Sequence, residues 1–123
     1  LMRVSRFEDL LVWQKSIDHS LKIYRLYTKN LDWGFKNQIQ RASVSIANNI
    51  AEGFDRSSDK EFKRFLFIAL GSASEVRSMN YLAFKLNYIS TEAYNDCNIQ
   101  LIEISKMLNG LSRSLNRNEV KYL

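Results

Sequence analysis

The sequence predicts an all-α fold, an antiparallel up-down-up-down four-helix bundle in a single domain spanning 1–123, and three observations carry that prediction. The chain holds no proline and only four glycines, so helices can run long without interruption. Apolar residues recur every three or four positions through four long segments. Short polar turns part these segments, as in bundles whose successive helices are neighbours. A hydrophobic content of 46% excludes disorder, and no uncharged apolar run is long enough for a membrane span.

The first helix is predicted over about 5–30, because Ser5 and Glu8 have capping-box spacing. Leu10, Trp13, Ile17, Tyr24 and Tyr27 form its inward stripe. The second runs over 32–53, from Asp32 as N-cap to Gly53, which can end a helix in the left-handed conformation. On it Phe35, Ile39, Ala42, Ile46, Asn49 and Gly53 share one face, widened by Ile50. An amide therefore falls on the core side. Left without partners it would cost about 1–3 kcal/mol, so Asn49 is expected to bond to a neighbouring helix or loop. Ser58 and Glu61 repeat the capping-box spacing and open a third helix over 58–86. Asn87, Tyr88 and Ile89 make the next turn. Ser90 or Thr91 then caps a fourth helix over 90–117, with a stripe of Tyr94, Cys97, Leu101, Leu108, Leu111 and Leu115.

Phe65 to Leu70 are six consecutive apolar residues, which at about 100° per residue point all around the third helix. One bundle cannot cover that circumference. Phe65, Phe67 and Ile68 are therefore expected to form a self-association surface. Gly71, Ser72, Ala73 and Ser74 keep the helix thin just beyond it, so Gly71 is expected to have a packing reason. Across the turn after Gly53, Arg41 should face Glu75 in an interhelical ion pair that sets register. Glu52 is placed to cap the start of the third helix.

The run Arg41-Ala-Ser-Val-Ser45-Ile, then Asn49-Ile-Ala-Glu52-Gly53, followed by Ser57, Phe62, Phe65-Leu66, Ala69, Gly71-Ser72 and Glu75, resembles the 23S rRNA intervening-sequence proteins, often labelled as a small-subunit ribosomal protein. Phe7 to Lys15 also fits that family's first helix. Members often carry a proline in the loop after the first helix, where this chain has Leu31-Asp32-Trp33-Gly34, so that turn is expected to be built differently. The resemblance implies a bacterial, cytosolic bundle that assembles as a ring-like homo-oligomer, a pentamer. Related accessory proteins of diversity-generating retroelements bind nucleic acid and a reverse transcriptase.

Catalytic constellations are absent from the sequence. The single histidine, His19, lies beside Asp18 on a helix and reads as a solvated or hydrogen-bonded side chain. Cys97 falls on an apolar stripe and reads as a small core residue. No Glu-x-x-His pair for a di-metal site occurs, and no glycine-rich phosphate loop. Ser43, Ser45, Ser72 and Ser74 have no histidine partner in view but His19. No cofactor, metal or enzymatic activity is expected.

Lysine and arginine total 18 against 13 acidic residues, a formal charge of +5 with a pI near 9.4. Lys15, Asp18, Lys22, Arg25 and Lys29 share a face of the first helix, and Lys106, Arg113 and Arg117 one of the fourth. A symmetric ring would repeat each stripe and concentrate its charge. The expected partners are therefore structured RNA or DNA, held through phosphates without base-specific reading. The alternative is a protein-interaction scaffold that recruits an enzyme such as a reverse transcriptase. The N-terminus lacks the succession of a secretory leader and Cys97 has no internal partner, so a cytoplasmic address is expected and no membrane association.

Overall fold

Every regular element in the computed structural model, which describes residues 4–116, is helical. A single 3-10 turn at Phe7–Asp9 leads into α1 (Leu11–Tyr27), α2 (Trp33–Phe54), α3 (Asp59–Lys85) and α4 (Thr91–Asn116). Each helix packs on its chain neighbour, α1 also meets α4, and α2 and α3 share the most extensive contact. Ile23, Ile39, Ile46, Ile50, Phe62, Leu66, Val76, Leu101, Ile104 and Leu108 fill the space between them. No helix among the described residues is long and apolar enough to cross a membrane.

The start of the chain departs from the expected capping box. Ser5 does not cap: the 3-10 turn begins after Arg6 with no side-chain cap, and Leu10 is extended (φ −75°, ψ 123°) before α1 begins. Burial decides this. The bend puts Leu10 into the core and lets Phe7 meet Trp13 edge to face at 5.2 Å. Gln14 then donates to the Glu8 carbonyl oxygen (2.8 Å), joining the turn to α1.

Other caps follow the sequence. Asp32 accepts from Phe35 N–H (3.2 Å), Ser58 from Glu61 N–H (3.2 Å) and Ser90 from Ala93 N–H (3.1 Å). Only half of the second box is made, because Glu61 turns its carboxylate to Arg64. Asn87 takes the left-handed conformation (φ 62°) that reverses the chain between α3 and α4.

Gly53 plays a different part from the one expected. It is not left-handed, and α2 continues through Phe54 to an ordinary right-handed C-cap at Asp55. Its missing side chain is what the structure uses. A Cβ built on Gly53 would lie 2.5 Å from Phe65 Cβ and 3.1 Å from Phe62 Cδ1, so glycine lets α3 close onto α2.

Candidate nucleic-acid interface

The polar residues of α2 meet α3 through serine. Asn49 Nδ2 donates to the Ser45 carbonyl oxygen (2.8 Å) and to Ser45 Oγ (3.0 Å), and Ser45 Oγ lies 2.9 Å from Ser72 Oγ. Asn49 is half-buried and bonds back to its own helix, so the link to the neighbour runs through Ser45. The Arg41–Glu75 pair is not made. Glu75 instead accepts from Gln38 Nε2 (3.5 Å), one turn earlier on α2, while Arg41 is exposed and has no ion pair among the described residues. Contacts 45–72 and 38–75 fix a register in which Gln38, not Arg41, reaches the carboxylate. Arg41 lines two shallow grooves, one with Gln38, Ser45 and Glu75 and one with Tyr24, Val44 and Asn48. Glu52 does not cap α3; it pairs with Arg56 at 3.0 Å along its own chain.

The three expected surface residues of α3 separate. Phe65 is buried by its own chain, 6% exposed, packed where Gly53 leaves room and flanked by the guanidinium carbons of Arg56 and Arg64 at 4.9 and 4.7 Å from its ring. It is unavailable to a second copy. Phe67 (77% exposed) and Ile68 (39%) do face outward. Gly71 lies on the same side, and a Cβ there would meet nothing within 4 Å, so no neighbour in the chain requires a glycine.

Half of the basic stripe on α1 is occupied within the bundle. Lys15 pairs with Glu103 at 2.9 Å and Lys22 with Asp96, both bridges running to α4. Such partly exposed bridges stabilise by about 1 kcal/mol or less, but they offset the charge that phosphate would meet. Arg25, in the last turn of α1, and Lys29, which lies in the turn beyond the helix rather than on it, are exposed and have no ion pair among the described residues. The same holds for Lys106 and Arg113 on α4. Arg117 lies outside the described residues.

His19 is fully buried rather than solvated. Its Nδ1 donates to Gln100 Oε1 (3.0 Å) across the α1–α4 seam, and Nε2 has no partner. Burial pulls its pKa below the ordinary 6.5, the Gln100 bond opposes that, and the Lys22 charge adds to it. The unfolded chain therefore takes up the proton more readily. Stability from this group is complete above about pH 6.5 and declines as pH falls below it. Melting temperature is expected to fall from about pH 7 to about pH 5, and less steeply in His19→Gln; identical profiles would contradict the assignment. Cys97 is buried, its thiol pushed up to about 11 mainly by loss of hydration, and fits a core role.

One group of residues escaped the sequence reading. Leu31 and Trp33, at the turn into α2, are 81% and 61% exposed. Lys36 Nζ sits 4.4 Å from the Trp33 ring centroid and donates to the Thr28 carbonyl oxygen (3.0 Å). The signal was present in the helical period, which puts Trp33 on the opposite side of α2 from Phe35, Ile39 and Ile46.

Four helices around an apolar interior, with a polar motif that joins α2 to α3 and unpaired cations outside it, define an all-α protein whose signature residues build the fold. The chain belongs to the family of 23S rRNA-intervening sequence proteins, which it matches over residues 8–110. A solved structure described as a protein of unknown function from the S23 ribosomal protein family of Bacteroides thetaiotaomicron VPI-5482 is similar to it, with a TM-score of 0.78 and 29% identity, covering 83% of this chain and 98% of that one. No curated protein matches the sequence.

Proposed function

We propose that this protein is a non-enzymatic, cytoplasmic bundle with helices in up-down order, which assembles as a ring-like homo-oligomer, a pentamer, and associates with structured RNA or DNA. The observation that carries the reading is the uneven pairing of its cations. Arg25, Lys29, Arg41, Lys106 and Arg113 are exposed without carboxylate partners among the described residues, whereas Lys15 and Lys22 are engaged. Family membership supports a role connected with rRNA. Phosphate contacts position a nucleic acid without reading its bases, and nothing in the sequence resembles a base-reading motif.

Anisotropy titration with a structured RNA at about 50 mM salt tests this, where phosphate contacts are strong. Log affinity should fall linearly with log salt, and neutralising Arg25 and Lys29 should flatten the slope. No binding to RNA or DNA, with the assembly intact, would refute it. A second reading draws on the open apolar face of α3 at Phe67 and Ile68, which would suit a protein scaffold recruiting an enzyme such as a reverse transcriptase. A co-purifying protein in place of nucleic acid is its signature.

A further inference from the structure

We propose that Trp33 is a stacking platform for an unpaired base of the bound nucleic acid, an inference that rests on the nucleic-acid reading above. Trp33 is the first residue of α2 and 61% exposed, the profile of a ring with area left for a ligand. Its orientation is held from one side. Lys36 spans from the ring (4.4 Å) to the Thr28 carbonyl oxygen (3.0 Å), bracing the indole against the end of α1.

The loop that presents it is also fixed. Tyr88 donates its hydroxyl to Asp32 Oδ2 (2.6 Å) and meets Phe35 edge to face at 5.3 Å, while Asp32 Oδ1 caps α2. Asp32, the only carboxylate between Lys29 and Lys36, thus has both oxygens engaged, one by Phe35 of α2 and one by Tyr88 from the turn between α3 and α4. Lys36 stands on the indole and reaches the Thr28 carbonyl oxygen; Lys29, the next residue after Thr28, and Arg25, one turn back on α1, are exposed. An exposed aromatic ring beside cations that track a phosphate backbone is the arrangement by which proteins hold single-stranded segments, since any base has a face to stack. The charges favour this over an apolar protein partner. A continuous duplex offers no free base face, so an RNA with an unpaired loop is the form that fits.

Trp13 is the other tryptophan, so Trp13→Phe makes Trp33 the sole indole reporter. The protein is titrated with an RNA hairpin carrying an unpaired loop and with a blunt duplex of equal charge. Quenching of Trp33 by the hairpin and not the duplex is expected. In the otherwise native protein, Trp33→Ala should weaken hairpin binding about 5- to 150-fold, with Trp33→Phe much closer to the parent and duplex affinity unchanged. This affinity comparison does not depend on the Trp13 variant. Hairpin binding with unquenched Trp33 and unaltered Trp33→Ala affinity would overturn the stacking and leave the broader reading standing. Absence of binding to both RNAs would overturn both. A lower assembled mass for Trp33→Ala by light scattering would make the residue a contact between copies and overturn the stacking as well.

Discussion

Replacing Gly53 with alanine is expected to lower stability by roughly 1–3 kcal/mol, a drop in melting temperature of about 5–15 °C. The new methyl would stand 2.5 Å from Phe65 Cβ, an atom fixed to the α3 backbone, so the helices themselves must part. Their separation would loosen the most extensive contact in the fold, including the Ser45–Ser72 link. Gly71→Ala is the control. Nothing lies within 4 Å of its added Cβ, so the helix-propensity gain of up to about 1 kcal/mol should appear in the chain's own stability. Thermal melting of both variants checks the contrast, and a Gly53→Ala protein as stable as the parent would contradict the account of α2–α3 packing.

Phe67→Glu is expected to shift the assembly toward monomer while leaving the fold intact. Phe67 is 77% exposed, so it contributes little to its own core, but a charge there would be buried without a partner in any interface covering that face. Light scattering at micromolar concentration provides the measurement. A parent protein that is already monomeric, or a variant of unchanged mass, would contradict the self-association reading. Phe65→Glu should behave differently and unfold the chain, because that ring is enclosed by Gly53, Arg56 and Arg64.

The helices were legible because period and caps agree. Asp32, Ser58 and Ser90 each stand before an apolar repeat and each accepts the bond that their residue type predicts. Ser5 offered the same local signal, and burial of Leu10 outweighed it. Gly53 was visible as a special position, but sequence cannot distinguish a left-handed turn from a close approach, since both exclude a side chain. Phe65 was misplaced for the same reason: its position at the edge of the inward face is settled by the space at Gly53, a residue on another helix. The Arg41–Glu75 pairing failed by about one helical turn, which is the precision with which two helices can be aligned without their contacts. Charge faces were legible as stripes, yet which lysines are engaged depends on Glu103 and Asp96 arriving from α4.

Under the proposed function, phosphate is bound by the cations that the bundle leaves unpaired among the described residues, and two double variants test that claim directly. Lys15→Gln/Lys22→Gln and Arg25→Gln/Lys29→Gln remove equal formal charge, the first pair from α1 and the second from its last turn and the turn beyond it. Affinity for a structured RNA is measured by anisotropy across salt concentrations for both. The Arg25/Lys29 variant is expected to lower the magnitude of the log–log slope by roughly 1.8, about 0.9 for each lost contact on a duplex, and the Lys15/Lys22 variant by much less. Equal slopes in the two variants, or a larger loss from Lys15 and Lys22, would contradict it.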